Sequence, residues 1–331
     1  MLLAWGLIAA ARGGTALPAL RDGGSSDLAM YRAITARVAA GEDYYRVLAA
    51  ELPVRGYAIR PVFNWRLPTL TWINAAPPSP VWGRVLLVVV GMAAMVLWLL
   101  VARRSVARAA IPAALVIMLS IAPVLVVPAS AVFYEVWAGL LVAASLACWS
   151  LGRSGASVAF GASALMIREL ALPFALVMAV LAWRESKRRE AMAWIGAVAA
   201  FGAYWAWHVS HVLNVMPAAG LSNSWTVAGG WPFVLKASQA SILLMLTPER
   251  VAPYVHAIAI PLVWAGAWYW RDATGRRLAV TLSAYFALFM LVGRPDNWYW
   301  GFVIAPLFPL AALGYFHGPH QPKARRRGPR G

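Results

Sequence analysis

Long apolar runs, separated by short polar breaks, are the main pattern along the chain. A helix that crosses a lipid bilayer needs about twenty apolar residues, so runs of this length predict membrane-spanning helices. Arginines follow some of the runs directly, as Arg103 and Arg104 do. The predicted spans are residues 81–102, 109–127, 132–151, 191–213, 251–270, 278–292 and 301–316.

Three further apolar segments predict shorter or interrupted helices. Residues 156–183 are broken by Arg168 and Glu169, and cations flank both ends of the run, so we expect two half-spanning helices that meet at the break. Residues 1–11 predict a first helix, and residues 237–246 predict a short one that dips into the membrane. Together these segments predict one all-α, polytopic membrane domain with about ten spanning or half-spanning helices.

Residues 12–80 contain the long polar exception, which we interpret as a large first external loop. Two amphipathic helices are predicted in it, the first ending at Gly41 and the second at Pro53. Because their polar sides carry arginines, we expect both helices to lie flat on the bilayer surface, with the cations near lipid phosphates. Their apolar faces carry Leu28, Tyr31, Ile34 and Val38, and then Tyr44, Val47, Leu48 and Leu52.

Composition excludes an ordinary soluble domain, because 62% of the residues are hydrophobic and 12% are charged, against about a quarter charged in such domains. A net charge of +17 would suggest nucleic acid in a soluble protein. Here most basic residues fall in segments that the topology assigns to the cytoplasm, which follows the positive-inside rule. Both termini are then cytoplasmic, residues 317–331 form a basic tail near lipid, and nucleic acid is not expected as a partner.

Three polar clusters fall on the non-cytoplasmic side of this topology: the first loop, the break at Arg168 and Glu169, and the turn at residues 294–300. An ionisable group exposed to lipid costs at least about 2.5–3.5 kcal/mol, so such groups line polar cavities or pair with each other. We therefore expect the clusters to converge on one site. In the loop, Asp27 is the strongest candidate, as a helix cap or as a catalytic carboxylate.

Other candidates also have two interpretations. Arg168 either binds a phosphate, whose oxygens a guanidinium matches bidentately, or forms a buried ion pair with Glu169. The aromatic residues of the late turn either form an interfacial belt or stack on a sugar ring or a prenyl chain. These are Trp298, Tyr299 and Trp300.

In their order along the chain, these parts resemble the C-type glycosyltransferase superfamily, integral membrane enzymes that use polyprenyl-phosphate-linked sugars. The resemblance is carried by an external loop that opens with an acid in SSDLAMYRAITARVAAGEDYY, by RPVFNWRLPTL, by MIRELALPF and by GRPDNWYWGFVIAPL. It covers most of the chain and is similar to bacterial proteins related to polyprenol-phosphate-mannose-dependent mannosyltransferases.

The resemblance implies that Asp27 acts as the general base on an acceptor hydroxyl, in an inverting displacement. It implies that Arg66, Arg168 and Arg294 hold the lipid phosphate that leaves. The donor would be a polyprenyl-phosphate sugar, the acceptor an envelope glycan or a lipid, and the site would face the exterior of the inner (plasma) membrane. The remaining substrate-binding positions in this interpretation are Tyr31, Glu169, Asp296, Asn297, Trp298 and Tyr299.

Alternatives remain for the function and the cofactor. A transporter or flippase would show inverted repeats or charges through the bilayer midplane, whereas most predicted spans are free of charge. A non-catalytic scaffold of envelope polysaccharide assembly would leave Asp27 dispensable. A divalent metal stays open, because many members carry paired acids in the first loop and Asp27 stands alone, with Asp22 or Glu42 and Asp43 as the second acid.

Overall fold

The computed structural model describes residues 27–77, 81–119, 122–223, 227–241 and 251–317. Within these ranges the regular structure is helical, with two isolated β-bridges and no strand. The all-α prediction is therefore confirmed. The predicted helix at residues 1–11 lies outside the described residues, and so does the basic tail from residue 318 onward.

The α-helices of the described ranges are numbered in chain order, and short 3₁₀ segments connect several of them. They are α1 (Asp27–Ala39), α2 (Tyr44–Val54), α3 (Thr69–Ala75), α4 (Trp82–Ser105), α5 (Ile111–Leu119), α6 (Ala122–Val126), α7 (Tyr134–Ser150), α8 (Ser154–Ile167), α9 (Leu172–Arg184), α10 (Arg188–Val215), α11 (Gly230–Ser238), α12 (Ala252–Tyr269), α13 (Ala273–Leu291) and α14 (Leu307–Ala312).

In the described part of the chain, α4 is the one unbroken helix that is long and apolar enough to cross a bilayer by length and composition. A second candidate is a bent pair, Asp296–Val303 and Leu307–Phe316, with 54° between its two parts. Helices α7 and α8 are apolar but shorter. The helix predicted at residues 81–102 is thus confirmed, and membrane crossing by the other helices stays a prediction.

The predicted break at Arg168 is present. Helix α8 ends at Ile167, and Arg168 follows it in an extended conformation, with φ −148° and ψ 118°. A 3₁₀ turn, Glu169–Ala171, leads into α9, whose first turn contains Pro173. Proline has no N–H to donate and clashes inside a continuous helix, but it is well accommodated at a helix start. The sequence therefore favours two helices here over one.

The span predicted at residues 301–316 is wrong as a single helix, because these residues are divided between the 3₁₀ segment Pro295–Val303 and α14. Residues 109–127 contain α5 and α6, and residues 120 and 121 between them lie outside the described ranges. Pro123 lies near the start of α6, and Pro306 directly precedes α14. A proline at such a position starts a new helix more readily than it continues an old one.

Of the helix predicted at residues 237–246, only residues 237–241 are described, and they contain the end of α11 at Ser238. The preceding segment, predicted as a polar loop, forms α11. Its Trp231 and Phe233 are buried against Phe286 and Phe289 of α13, with ring centroids 6.0 and 5.7 Å apart. Packing against α13 has overridden the local preference for a loop. Residues 242–250 lie outside the described ranges.

The two helices predicted in the first loop are present as α1 and α2, although Pro53 lies in the last turn of α2, which ends at Val54. Their apolar faces are buried in the protein: Ile34 and Leu48, for example, are 2% and 1% exposed. These faces therefore pack against the protein and not against lipid, and the position of both helices at the bilayer surface stays a prediction. On the polar side, Arg37 pairs with acidic side chains of the loop itself, namely Glu42 and Glu51.

An ion-pair cluster around Glu185 joins the end of α9 to α13. Arg277 donates from Nη1 and Nη2 to the two Glu185 oxygens at 2.7 and 2.9 Å, and Lys187 Nζ lies 2.8 Å from Glu185 Oε2. The Arg277 side chain is fully buried, and its guanidinium stacks on the Trp149 ring at 3.5 Å. Hydrogen bonds from these cations, Arg277 first, lower the pKa of Glu185 to about 2.

We expect Glu185→Gln to destabilise the fold at pH 7, because Arg277 then stays buried without its main carboxylate partner, at a cost of about 3 kcal/mol. Since the folded state lowers the pKa of Glu185 from 4.5 to about 2, this contribution is present above pH 4.5 and is lost as the pH falls toward 2. Melting temperatures of both proteins in detergent should therefore differ at pH 7 and converge in acid.

Glu42→Gln is the matched control, since Glu42 pairs with Arg37 at an exposed position, where ion pairs contribute little. Equal destabilisation by the two variants would contradict this account. A melting difference for Glu185→Gln that is independent of pH would contradict it as well.

Candidate functional site

A cavity of about 210 Å³ lies between the first loop and the segment that follows α13. Two of the three polar clusters expected to converge contribute to its lining, and the third, at Arg168 and Glu169, does not. The volume lies below the range of about 300–1,000 Å³ typical of drug-sized ligands, so the cavity suits a group no larger than a single sugar. The predicted residues that line it are Asp27, Tyr31, Arg66, Arg294, Asp296, Asn297 and Tyr299.

Asp27 is the first residue of α1, and its carboxylate is held by the first loop itself. The Tyr57 hydroxyl donates to Asp27 Oδ1. Burial first, and then the negative charge of Asp27, raise the pKa of Tyr57. The phenol therefore keeps its proton at neutral pH and remains a hydrogen-bond donor, which fixes one carboxylate oxygen of Asp27 beside the cavity.

Arg66 is buried at the cavity wall, with 8% of the residue exposed. Its Nε donates to the Tyr31 hydroxyl and its Nη2 to the Tyr299 hydroxyl, both at 3.0 Å, and its Nη1 donates to the Phe63 carbonyl at 3.4 Å. The backbone is fixed as well, since the Tyr44 hydroxyl donates to the Arg66 carbonyl at 2.6 Å. Among the described residues, no carboxylate lies within 4.0 Å of this guanidinium.

The partners of Arg66 do not neutralise it. Burial raises the pKa of Tyr31 well above its ordinary value, so that phenol stays uncharged beside the guanidinium. A buried cation without a counter-charge is costly, typically by several kcal/mol, and an anion that enters the cavity recovers part of that cost. Both phenol oxygens accept from Arg66. The Tyr31 O–H stays available as a donor, whereas the Tyr299 O–H donates to the Asn297 side-chain oxygen at 3.4 Å. Arg66 and the Tyr31 phenol therefore form a preorganised anion site, and Tyr299 helps to hold the guanidinium in place.

An exposed ion pair lies at the other wall of the cavity. Arg294 donates to both Asp296 oxygens, from Nε at 3.2 Å and from Nη2 at 2.8 Å. Three residues further on, the Tyr299 hydroxyl donates to the Asn297 side-chain oxygen at 3.4 Å. Asn297 has non-helical φ/ψ values and divides the 3₁₀ segment. This kink gives the late turn several polar side chains that face the same cavity.

Arg168 is not placed as a phosphate ligand. It is fully buried, donates from Nε to Glu135 Oε1 at 2.7 Å, and also donates to Glu169. Neither Arg168 nor Glu169 lines the cavity. The ion-pair interpretation therefore describes this break, with a partner that the sequence analysis missed. Glu135 is a lone acid within a predicted span, and an ionisable residue there was the available signal.

The late aromatic residues are divided between the cavity and the core. Tyr299 lines the cavity, whereas Trp298 does not. Trp298 packs on Phe302 instead, with ring centroids 5.9 Å apart. Trp298 and Trp300 are only 8% and 1% exposed. The prediction that these tryptophans form an interfacial belt is therefore wrong. The prediction that Trp298 stacks on a ligand in this cavity is wrong as well.

Three polar lining residues were missed in the sequence: Tyr57, Asn64 and Asn223. The Asn64 amide donates to the carbonyls of Ala58 and Arg60, both at 2.9 Å, so it also shapes the loop around the cavity. Nothing in the local pattern distinguishes these residues from ordinary loop residues. Their role depends on contacts between segments that are distant in the chain.

Among the described residues, no group of three or more His, Cys, Asp or Glu side chains is arranged to hold a metal ion. Comparison with known proteins adds no assignment: no family model matches the chain, and neither a curated protein nor a solved structure matches it at a significant level.

We expect Arg66→Met to abolish binding of phosphate-bearing ligands, because the variant removes the buried positive charge but keeps an unbranched side chain. A short-chain prenyl phosphate at ten times its Kd should stabilise the wild type by about 1.4 kcal/mol, measured as a rise in melting temperature, and should leave the variant unchanged. Arg46→Met, which removes an exposed arginine of the same loop, should respond like the wild type. Equal responses of the wild type and Arg66→Met would contradict the anion site.

Proposed function

We propose that the chain is an integral membrane glycosyltransferase, which transfers a sugar from a polyprenyl-phosphate-linked donor to a hydroxyl of an envelope glycan or lipid. The observation that carries this proposal is the pairing, in one small cavity, of a carboxylate and an unneutralised buried guanidinium, Asp27 and Arg66. Sugar transfer from a lipid phosphate needs one group that accepts a proton and one that holds the leaving phosphate.

In the proposed reaction Asp27 accepts the proton of the acceptor hydroxyl. The hydroxyl oxygen then attacks the anomeric carbon of the sugar, while the bond between that carbon and the phosphate oxygen breaks. The electron pair of this bond leaves with the lipid phosphate, whose increased negative charge is stabilised by Arg66 and by the O–H group of Tyr31. One displacement of this kind inverts the anomeric configuration.

The membrane placement belongs to the same proposal. Helix α4 and the bent pair after α13 are candidate spans, and the positive-inside rule favours a cytoplasmic position for the arginine-rich connections. We propose a polytopic arrangement of about ten spanning or half-spanning helices in the inner membrane, with both termini cytoplasmic and the cavity on the outer side. The resemblance of the first loop and the late turn to C-type glycosyltransferases supports it.

A divalent metal stays open in this proposal. Two carboxylates line the cavity, those of Asp27 and Asp296, and Asp296 is already paired with Arg294. The charge stabilisation that a metal supplies to a leaving phosphate is assigned here to Arg66 and Tyr31, and the reaction described above needs no further group from this chain.

We expect Asp27→Asn to reduce sugar transfer at least about 100-fold, the usual contribution of a general base, because the amide cannot accept the proton. Transfer from a panel of polyprenyl-phosphate sugars is measured in membranes at matched expression. Asp43→Asn is the control, since it removes the same charge from the same loop, and asparagine still caps α2 as aspartate does. Unchanged transfer by Asp27→Asn would contradict the general-base role and leave Asp27 with a structural role at the start of α1. A wild type that is inactive with every donor and acceptor tested would favour the transporter or the scaffold.

We expect Tyr57→Phe to lower kcat about tenfold with little change in KM, because the phenol donates to Asp27 and a lost hydrogen bond of about 1.4 kcal/mol corresponds to that factor. In an Asp27→Asn background the same change should have little further effect, since two residues that act through one contact are not additive. Additive losses in the double variant would contradict a role for Tyr57 in holding Asp27.

A further inference from the structure

An exposed aromatic surface lies beside the cavity, on three separate elements of the fold. Phe63 stacks on Trp205 with ring centroids 5.2 Å apart, and Trp72 lies 6.0 Å from Trp207. Phe63, Trp72 and Trp207 are 47%, 42% and 39% exposed. We call Phe63, Trp72, Trp205 and Trp207 the aromatic shelf. Large aromatic rings left open to the outside in this way need a partner that suits an amphipathic ring.

Helix α10 leads from a basic end to the aromatic shelf. It begins with the exposed Arg188 and Arg189, and between Glu190 and His208 it carries no charged residue. The distance along the helix from Arg188 to Trp207 is about 29 Å at roughly 1.5 Å per residue. This length matches the hydrocarbon core of a bilayer, about 30 Å.

Helix α4 has the same pattern in the opposite direction. It begins with the exposed Trp82 and ends with the exposed Arg103 and Arg104, and the rise from Trp82 to Arg103 is about 32 Å. Apart from the exposed Arg84 in the first turn, next to Trp82, its outer side is aliphatic between these ends, as at Val89, which is 57% exposed. The two helices run in opposite directions, and each has an exposed tryptophan toward one end and a pair of exposed arginines at the other.

Contacts at the tryptophan level join the two helices. Trp72 of α3 contacts Trp207 of α10, and the Asn74 side chain of α3 packs against Gly83 in the first turn of α4. The aromatic ends of α4 and α10 are therefore linked through one short helix. Tryptophans gather at the level of the lipid headgroups, and arginines mark the cytoplasmic side.

We propose that the aromatic shelf is the surface on which this protein meets the headgroup layer of the outer leaflet. The inference rests on the membrane placement of the proposed function and assigns the interfacial belt to residues other than the late tryptophans. Arg66 then lies close to the headgroup layer, because its guanidinium contacts the carbonyl of Phe63, a shelf residue. A lipid phosphate reaches Arg66 while its hydrocarbon chain stays in the bilayer.

The chain offers a direct test, because Cys148 is its only cysteine and is buried. Three single-cysteine variants in a Cys148→Ala background carry a spin label. They are Ala206→Cys, between the shelf residues Trp205 and Trp207, Val89→Cys in the middle of α4, and Val54→Cys in the first loop. All three positions are exposed. Each labelled protein is reconstituted in phosphatidylethanolamine–phosphatidylglycerol vesicles, and collisions of the label with oxygen and with a water-soluble nickel chelate give its depth.

The proposal predicts an order: the Val89 label deepest and reached mainly by oxygen, the Ala206 label at the boundary and reached by both reagents, and the Val54 label in water. An Ala206 label as water-exposed as Val54 would overturn the proposal. So would an Ala206 label reached by neither reagent, which would indicate a second copy or another protein over the shelf. A water-exposed Val89 label would overturn the membrane placement itself.

The experiment distinguishes a failure of the shelf proposal from a failure of the proposed sugar transfer. The order of depths needs no donor and no acceptor, so a protein inactive in sugar transfer can still confirm the shelf. An active protein with the wrong order of depths would retain the proposed reaction and lose the shelf. Melting of the Cys148→Ala protein in detergent at the wild-type temperature establishes that the background fold is intact.

Discussion

The site depends on the cost of removing a positive charge from water without giving it a negative partner. Arg66 is held at the cavity wall by two phenols and a carbonyl, all of them neutral. Such an arrangement orients the guanidinium but does not neutralise it, so the electrostatic requirement stays unmet until an anion enters. The fold thereby keeps a charge ready for a ligand, as preorganised sites do when they stabilise charge in a reaction.

A second buried arginine shows the opposite solution. Arg168 occupies the break between α8 and α9 and pairs with Glu135 and Glu169. Its charge holds the chain together where the helix is interrupted, and the Arg168 side chain does not line the cavity. The two arginines look alike in the sequence, each inside an apolar or mixed segment. What separates a binding arginine from a structural one is whether a carboxylate from another helix reaches it.

This difference also marks the limit of what the sequence predicts. Local patterns placed α1, α2, α4 and the break at Arg168, because periodicity, length and proline act over a few residues. The convergence of the first loop with the late turn followed from the cost of isolated charges. The partner of Arg168, the burial of Trp298 and the inclusion of Asn223 in the cavity depend on packing between distant segments. No window of sequence contains that information.

The charged lining of the cavity comes from two short stretches of chain, residues 27–66 and 294–296. The long helices between them hold these stretches in place but add no charged side chain to the lining. Selection therefore acts on the two parts in different ways. Apart from the buried ion pairs that join them, such as Arg168 with Glu135 and Arg277 with Glu185, the helices need only to stay apolar and of suitable length, which many sequences satisfy. The two stretches carry all the charges of the lining, so a change in the charge of the bound group during evolution requires substitutions in them alone.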